Sequence, residues 1–210
     1  MSAVRVRQHV NPLSRKHQRT VNPPHWPDVY ANPTQPLHLD IGCAHGQFLF
    51  HMASEYPDWN FLGIEIREPL VYQALEKRND LELRNLHFLI CNANSALTPL
   101  FPSLPDGVLQ RVSIFFPDPW FKQRHRKRRV VQPELVADLA KAMPAEATVF
   151  LQSDVEALAI AMCRQFQENA SFARTTEHWL AENPTGVSTE REEMTLEKGA
   201  PVYRAMFVRK

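Results

Sequence analysis

The segment "IFFPDPWFKQRHRKRRVVQP", residues 114–133, joins an apolar run to a dense cationic stretch through a Pro-Asp-Pro-Trp turn. Asp118 is the one acidic residue in this segment. A single acid between a buried strand and a cluster of cations indicates an active centre beside a binding surface for a polyanion. The cations would bind phosphates, while the carboxylate would recognise a polar group. The alternative is an Asx turn between two prolines, since Asp-Pro is common in turns.

A second set of polar residues surrounds a short glycine turn, "LDIGCAHGQF". Asp40 precedes this turn, and Gly42 and Gly46 bound it, so the backbone can approach a ligand without a Cβ in the way. A dinucleotide-binding turn carries a third glycine, and a carboxylate at Asp40 would repel a pyrophosphate. The same carboxylate suits a cationic cofactor with an amino group. A nicotinamide-dependent dehydrogenase is therefore the weaker interpretation, and a turn without further function is the remaining one.

Two further strand ends match a cofactor that contains adenosine. Glu65 lies in "GIEIR", twenty-five residues after Asp40, and an acid at this place accepts hydrogen bonds from both ribose hydroxyls. Asn92 and Ala93, in "CNAN", follow the third strand, where they would meet the adenine edge. An adenosine ribose, an amino acid and a sulfonium together describe S-adenosyl-L-methionine, which is the predicted cofactor.

Alternating strand and helix patterns have to position these residues. Short apolar runs predict strands over 37–41, 61–66, 86–91, 111–116 and 147–153. Helical spacing predicts helices over 47–56, 69–79 and 133–143, and one more that begins behind Asp154 as its N-cap. The final "VYRAMFVRK" alternates as an edge or antiparallel strand does. The order predicts a mostly parallel sheet with helices on both faces, in which ligands bind at the carboxyl ends of the strands.

Length and composition favour one soluble domain. The chain has 210 residues, 44% hydrophobic and 22% charged, which is enough to bury a core without disulfides. Cys43, Cys91 and Cys163 are far apart and odd in number, so we expect reduced thiols rather than a disulfide framework or a metal site. The nine histidines also lack ligand spacing. No stretch has the pattern of a membrane span or a signal peptide, and a cytoplasmic protein is expected.

The net charge of +1 conceals two basic regions. The first lies in a polar, weakly periodic segment, residues 1–36, which predicts a basic arm ahead of a domain over 37–210; its cations are Arg5, Arg7, Arg15, Lys16 and Arg19. The second region comprises Lys122, Arg124, Arg126, Lys127, Arg128 and Arg129. A solvated face explains one isolated run, but two such regions favour a nucleic-acid surface. If the second region is extended, Arg124, Arg126 and Arg128 share one face.

The motif "FFPDPWFKxRHxKRRVVQP" closely resembles the signature of the tRNA (guanine-N7)-methyltransferase family. The similarity extends through "LDIGCAHGQF", "GIEIR", "CNA", "QSDVEALA" and "STEREE", and covers most of the chain from Leu37 onward. This resemblance implies a Rossmann-like class I S-adenosylmethionine-dependent methyltransferase with an antiparallel C-terminal strand. It also implies tRNA as the partner, with guanosine 46 of the variable loop as the methylated nucleotide. We expect a monomer or a homodimer, with no metal and no membrane.

The resemblance also implies roles for individual residues, with Asp118 as the active-site aspartate. The residues implied to contact the cofactor are Asp40, Gly42, Gly46, Glu65, Arg67, Asn92, Ala93 and Asp118. Those implied to contact the substrate are Lys122, Asp154, Thr189, Glu190, Arg191 and Glu192, with Arg124, Arg126, Lys127 and Arg128 on the tRNA backbone. The chain departs from the family at Ala44, Asp40 and Asn92, where glycine, glutamate and aspartate are frequent, and at Arg191, where an aromatic residue is common. "HVNPLSRKH", residues 9–17, looks like the amino-terminal segment of the eukaryotic branch.

Two other functions stay open on the sequence. Asp-Pro-Trp loosely resembles the D-P-P-[YFW] turn of exocyclic-amine methyltransferases, although those enzymes usually have tandem prolines. An RNA-binding module with an inactive methyltransferase fold is the second, and the intact set of Asp40, Glu65, Asn92 and Asp118 disfavours it. Trp120 either stacks on a base or packs beneath the turn, and packing is favoured.

Overall fold

A seven-stranded sheet forms the centre of the computed structural model, which describes residues 10–18, 20–94 and 97–210. Its strands are β1 Leu37–Ile41, β2 Asn60–Glu65, β3 Leu86–Ile90, β4 Leu109–Phe115, β5 Thr148–Ser153, β6 Phe172–Arg174 and β7 Tyr203–Arg209. The α-helices are α1 Trp26–Val29, α2 Gln47–Glu55, α3 Glu68–Asp80, α4 Leu97–Leu100, α5 Pro133–Ala142, α6 Glu156–Gln167 and α7 Glu190–Glu197. Short 3₁₀ helices cover Arg15–His17, Phe101–Ser103 and Gln123–Arg128.

The strand order β3-β2-β1-β4-β5-β7-β6 places the topological switch point between β1 and β4. The pairs among β1 to β5 are parallel, whereas β7 is antiparallel to both β5 and β6. The carboxyl ends of β1 to β5 therefore meet at one edge, which is where open α/β sheets bind ligands. The predicted mostly parallel sheet with an antiparallel C-terminal strand is confirmed.

Two hydrophobic layers cover the sheet. Residues of α2 and α3 pack on one side with Phe61 and Phe88, and residues of α5 and α6 pack in the other cluster with Val112 and Val149. Every residue of β1 and β2 is buried. This double cover explains why these strands are continuous apolar runs rather than alternating ones.

Of two local predictions about the second half of the chain, one is confirmed and one is wrong. The sequence indicates an edge or antiparallel strand at its end, and β7 is antiparallel to both neighbours and lies between β5 and β6. Asp154 does not cap α6: the helix begins at Glu156 with Val155 as its N-cap residue and no side-chain cap. Ser153 Oγ instead accepts a hydrogen bond from the Val155 N–H at 3.0 Å.

The amino-terminal region contributes to the core. Trp26 and Tyr30 are buried in the larger hydrophobic cluster, and the Tyr30 hydroxyl donates to the Phe61 carbonyl at 3.0 Å. The division at residue 36 stays a prediction, although these contacts join residues 26–30 to the folded body. Of the predicted basic arm, Arg5, Arg7 and Arg19 lie outside the described residues. Within the described ranges, no helix is long and apolar enough to cross a membrane.

Gly46 joins the glycine turn to α2 at a point where a side chain would not fit. Its φ of 72° is left-handed, and a Cβ built there would lie 2.5 Å from the Phe88 ring. Gly107 has a similar φ of 74°, but a Cβ there would meet nothing within 4 Å. Comparing a substitution at Gly46 with one at Gly107 therefore separates the energetic cost of the left-handed backbone from the cost of close packing.

We expect Gly46→Ala to destabilise the protein more than Gly107→Ala does. The left-handed conformation costs either variant about 1–2 kcal/mol, and overpacking against Phe88 adds about 1–3 kcal/mol for Gly46→Ala alone. Urea denaturation of both variants measures the difference. Equal losses of unfolding free energy would show that Phe88 moves aside without cost.

Candidate active site

Two adjoining cavities lie at the carboxyl edge of the sheet. The cavity here called the cofactor cavity is lined by residues that include Glu65, Asn92 and Ala93. The second, here called the cleft, is lined by residues that include Asp154 and Arg191. Residues that border both are Gly42, Arg67, Phe115, Phe116, Pro117 and Asp118. The strand ends thus bring together predicted residues that are far apart in the chain.

Asp40 lines the cleft and belongs to a buried hydrogen-bonded chain. The Ser113 hydroxyl donates to Asp40 Oδ1 at 2.6 Å, and His38 Nε2 lies 3.0 Å from Ser113 Oγ. Because Ser113 uses its hydrogen on Asp40, Nε2 of His38 carries the proton and donates to Ser113. Nδ1 of His38 is buried without a hydrogen-bond partner among the described residues, as fits an unprotonated nitrogen.

Burial shifts both ends of this chain toward the neutral form. Burial raises the pKa of Asp40 to about 7, with a further rise from the charge of Glu65 and an opposing effect of the Ser113 hydrogen bond. Burial lowers the pKa of His38 to about 3, and the charge of Arg111 adds to that shift. Near neutral pH the imidazole is therefore uncharged, while Asp40 titrates.

Glu65 ends β2 with its carboxylate held by four N–H donors. Oε1 accepts from the Arg67 backbone N–H at 2.9 Å and from Arg67 Nε at 3.0 Å. Oε2 accepts from Arg67 Nη2 at 3.0 Å and from the Ala44 backbone N–H at 3.1 Å. A carboxylate has about four acceptor positions, so a ribose hydroxyl would have to replace a guanidinium hydrogen bond. The ribose role of Glu65 stays a prediction.

Arg67 connects Glu65 to the Pro-Asp-Pro-Trp turn electrostatically. Burial alone would lower the pKa of Arg67, but its hydrogen bonds to Glu65 and the charges of Glu65 and Asp118 outweigh burial and raise that pKa. The guanidinium therefore remains charged between the two acids. Arg67 borders both cavities, where it could reach a bound cofactor. The cofactor contact of Arg67 stays a prediction.

The glycine turn explains one departure from the family. Ala44 has a φ of 50°, and Gly42 has a φ of 86°. The left-handed region favours glycine, which accounts for the frequent glycine at the position of Ala44. Alanine here keeps its N–H aimed at Glu65, so the turn retains its shape despite the strained backbone.

Asn92 anchors the amino-terminal segment over the cofactor cavity. Its side-chain amide donates to the carbonyls of Pro12 and His17, both at 2.9 Å. Its Oδ1 accepts from the Asn94 N–H at 3.2 Å. An aspartate, frequent here in the family, has no hydrogens to donate to two carbonyls. The predicted adenine contact of Asn92 stays a prediction and would use its remaining Oδ1 acceptor position.

Strained backbone shapes the Pro-Asp-Pro-Trp turn. Phe116 and Trp120 have φ values of 46° and 42°, which cost non-glycine residues energy and persist only where surrounding contacts enforce them. The Trp120 ring is packed edge-on against His125, with centroids 5.7 Å apart, and Arg128 lies 4.9 Å from its centroid. Trp120 therefore packs against the basic region, as the favoured prediction expects, and it also lines the cofactor cavity; stacking on a base stays a prediction.

The basic region is a 3₁₀ helix rather than an extended segment, so the alternating arrangement is wrong. In a 3₁₀ helix, residues three apart share a face, which pairs His125 with Arg128 and Arg124 with Lys127. The first pair contacts Trp120, so Arg128 faces inward. The cations left exposed are Lys122, Arg124, Arg126 and Lys127.

Asp154 and the segment before α7 close the far side of the cleft. The Arg191 guanidinium forms an ion pair with Asp154, in which Nε donates to Oδ2 at 3.1 Å. Thr189 caps α7 through its Oγ1, which accepts from the Glu192 N–H at 3.1 Å. Thr189, Glu190 and Arg191 line the cleft. Arginine, at the position where the family often has an aromatic residue, thus ties α7 to the end of β5.

Glu192 has partners of its own away from the cleft lining. Its side chain is 0% exposed and pairs with Arg204, whose Nη2 donates to Oε1 at 2.6 Å. Asn183 Nδ2 donates to Oε2 at 2.7 Å. These contacts join α7 to β7, and removing one partner of a buried pair is costly. The substrate contact implied for Glu192 stays a prediction, while its observed contacts stabilise α7.

The cysteines do not form a reactive centre. Cys43, Cys91 and Cys163 are free and buried. Burial raises the pKa of Cys91 to about 12 and that of Cys163 to about 11, so both thiols stay protonated near neutral pH. Among the residues that the structure describes, no group of His, Cys, Asp and Glu is arranged to hold a metal ion.

We expect the unfolding free energy of Asp40→Asn, relative to that of the wild type, to increase as pH rises. The raised pKa of Asp40 means that the folded state binds this proton more tightly than the unfolded state. Its stabilisation is complete below the ordinary pKa and is lost as pH rises through about 7. Urea titrations should show the stability difference shifting by about 3 kcal/mol between about pH 5 and pH 8. A constant difference would contradict the raised pKa of Asp40, since groups that do not interact with Asp40 cancel in this comparison.

We expect Asn92→Asp to release the amino-terminal segment. The variant loses two donated hydrogen bonds and sets a carboxylate against two carbonyl oxygens. Trypsin should then cleave faster after Arg15 or Lys16, which are exposed within an ordered segment, as mass spectrometry of early fragments would report. Asn79→Asp, at an exposed residue whose side chain accepts from Arg78, is the control. Unchanged cleavage would show that other contacts hold the segment.

Comparison with known proteins identifies relatives that match almost the whole chain. A family model described as "Putative methyltransferase" matches residues 34–205. The tRNA (guanine-N(7)-)-methyltransferase of Trichormus variabilis is 58% identical over 207 residues, which cover 98% of this chain and 96% of that protein. The protein of the same name from Synechococcus elongatus is 58% identical over 209 residues, covering 100% of this chain and 98% of that one.

Solved structures agree on the architecture. The 16S rRNA methyltransferase KamB has a TM-score of 0.60 at 12% identity, covering 88% of this chain and 91% of that chain. An antibiotic-related methyltransferase has a TM-score of 0.60 at 16% identity, covering 93% of this chain and 98% of that chain. These likenesses show the Rossmann-like class I methyltransferase fold, and the sequence relatives show the family. The chain therefore belongs to the tRNA (guanine-N7)-methyltransferase family of S-adenosylmethionine-dependent enzymes.

Proposed function

We propose that this protein transfers a methyl group from S-adenosyl-L-methionine to N7 of guanosine 46 in the variable loop of tRNA. The observation that carries the proposal is the position of Asp118, which borders both the cofactor cavity and the cleft. A carboxylate at this border can contact an acceptor in the cleft on the side that faces the methyl donor. The names of the relatives support tRNA guanine as the acceptor.

The lining of the cofactor cavity fits S-adenosylmethionine. Glu65 would accept from the ribose in place of a guanidinium hydrogen bond from Arg67. Asn92 provides one acceptor position for the adenine amine. Asp40 borders the cleft beside Gly42, where a Cβ would meet nothing within 4 Å. Acidic side chains beside an open glycine turn suit a cationic ligand with an amino group. When bound, this cofactor supplies an electrophilic methyl group on a sulfonium.

Guanine N7 needs no general base, because its lone pair is free. The protein has to hold N7 in line with the methyl carbon, and such positioning lowers a barrier by several kcal/mol, on the order of 7–11 kcal/mol at best. In our proposal Asp118 accepts hydrogen bonds from N1–H and the exocyclic amine, which distinguish guanine from adenine. As the ring becomes cationic, the same carboxylate stabilises it.

The remaining roles concern the RNA backbone and the closing segment. Lys122 follows Asp118 by four residues and is exposed next to Phe121, which lines the cleft, a position suited to the phosphate of the target nucleotide. Arg124, Arg126 and Lys127 continue an exposed cationic surface, and structured RNA is bound largely through shape and phosphate contacts. Asp154 would act on the base together with Arg191, its ion-pair partner.

We expect Asp118→Ala and Asp118→Asn to lose methyl transfer while they keep the cofactor. Removing one charge-stabilising group from an active site lowers turnover about 10²- to 10³-fold, whereas affinity for S-adenosylhomocysteine should change less than about tenfold, or 1.4 kcal/mol. Labelled cofactor with unmodified tRNA measures transfer, and calorimetry measures affinity. Asp106→Asn, an exposed acid in the turn before β4, is the control. Loss of cofactor affinity together with activity would assign Asp118 to cofactor binding.

The modified nucleotide decides between the proposal and its alternatives. Reduction and aniline cleavage break RNA at 7-methylguanosine, so a fragment ending at position 46 is the expected product, and a transcript with adenosine 46 should give none. A label retained on an exocyclic amine would favour the second enzyme class. Binding of tRNA without any transfer would favour an inactive RNA-binding module.

A further inference from the structure

Phe121 is an aromatic side chain turned toward solvent at the edge of the cleft. It is 75% exposed, the largest value among the exposed large hydrophobic residues that the structure describes. It lines the cleft together with Asp118, Pro119 and Asp154. A phenylalanine leaves this much apolar surface in water only at a cost, and a lone exposed side chain on an open face would need no explanation. Its position inside the candidate site distinguishes it.

The turn before Phe121 keeps the ring outside the core. Trp120 adopts its left-handed φ of 42° while packed against His125 and Arg128. Arg129 Nε donates to the Pro119 carbonyl at 2.8 Å, which fixes the turn from the other side. Because these contacts hold the strained backbone, Trp120 takes the inward position and the next side chain points outward. The exposure of Phe121 therefore follows from the contacts that hold this turn.

The charged residues next to Phe121 indicate which kind of partner would contact its ring. Lys122 follows immediately and Arg124 lies two residues further on, both exposed. The partner must therefore present a flat apolar face joined to negative charge. An unpaired nucleotide has both, since its base stacks on an aromatic ring while its phosphate contacts a cation. A purely apolar protein partner would leave these cations without a counterpart.

We propose that the Phe121 ring stacks on an unpaired base of the RNA substrate at the mouth of the cleft. This inference rests on the proposed function, because it assumes that RNA enters the cleft. It adds a stacking platform to the contacts of Asp118 with the base and of the cations with phosphates. Stacking is tolerant of base identity, so Phe121 contributes affinity and orientation, while guanine recognition remains with Asp118.

Binding of unmodified tRNA across a salt series tests the proposal. Phe121→Ala should weaken binding about 5- to 150-fold, the loss typical of one stacked base, with an unchanged slope of log affinity against log salt. Phe121→Trp should restore affinity, and Phe121→Leu, which is apolar but has no ring, should remain weak. Arg124→Ala should instead lower the slope by about 0.7 to 0.9, as one lost phosphate contact does.

Controls separate this inference from folding and from the proposed function. Tyr56→Ala removes another exposed aromatic ring, 40% exposed, after α2 at the opposite edge of the sheet, and should leave binding unchanged. Thermal unfolding confirms that each variant is folded. Wild-type affinity in Phe121→Ala, or full recovery in Phe121→Leu, overturns the stacking role even if the wild type methylates tRNA. Failure of the wild-type protein to methylate tRNA would overturn the proposed function itself.

Discussion

The hydrogen bond from Ser113 Oγ to Asp40 Oδ1, 2.6 Å long, joins the two strands at which the sheet reverses its order. β1 and β4 are distant in sequence, yet their register pairs Asp40 with Ser113. The bond thereby fixes the glycine turn after β1 relative to the Pro-Asp-Pro-Trp turn after β4. A slip of one residue would turn one of the two side chains to the opposite face of the sheet. Both cavities depend on this register because they meet between the two turns.

The same bond belongs to a buried chain whose two ends titrate in opposite senses. The raised pKa of Asp40 makes the folded state less stable as pH rises toward 7, whereas the lowered pKa of His38 makes it more stable as pH rises from about 3. Their contributions oppose one another over the shared range. The buried imidazole alone would make the fold less stable in mild acid, and the buried acid under the candidate cofactor site offsets that loss.

The sequence predicts best those features whose own residues determine them. β1 to β5 read as apolar runs because the sheet is covered on both sides, and the acids are found because they lie at strand ends. β6 has three residues and is defined by its pairing with β7, so no local pattern marks it. Asp154 has the right type for an N-cap, but Arg191, distant in sequence, binds its carboxylate. The two hydrogen bonds donated by Asn92 and the outward ring of Phe121 depend on distant carbonyls and a strained turn, which spacing alone does not reveal.

The acidic side chains at the carboxyl edge of the sheet also have to coexist with tRNA, a polyanion. Glu65 is paired with Arg67, Asp154 with Arg191 and Glu192 with Arg204. Asp40 is buried, and its pKa of about 7 keeps part of its population uncharged near neutral pH. Phosphates that approach the cleft therefore meet little uncompensated negative charge from these groups. The local electrostatic field is then dominated by the exposed cations Lys122, Arg124, Arg126 and Lys127. The acids act at short range, where the geometry of their hydrogen bonds rather than the net charge decides what they bind.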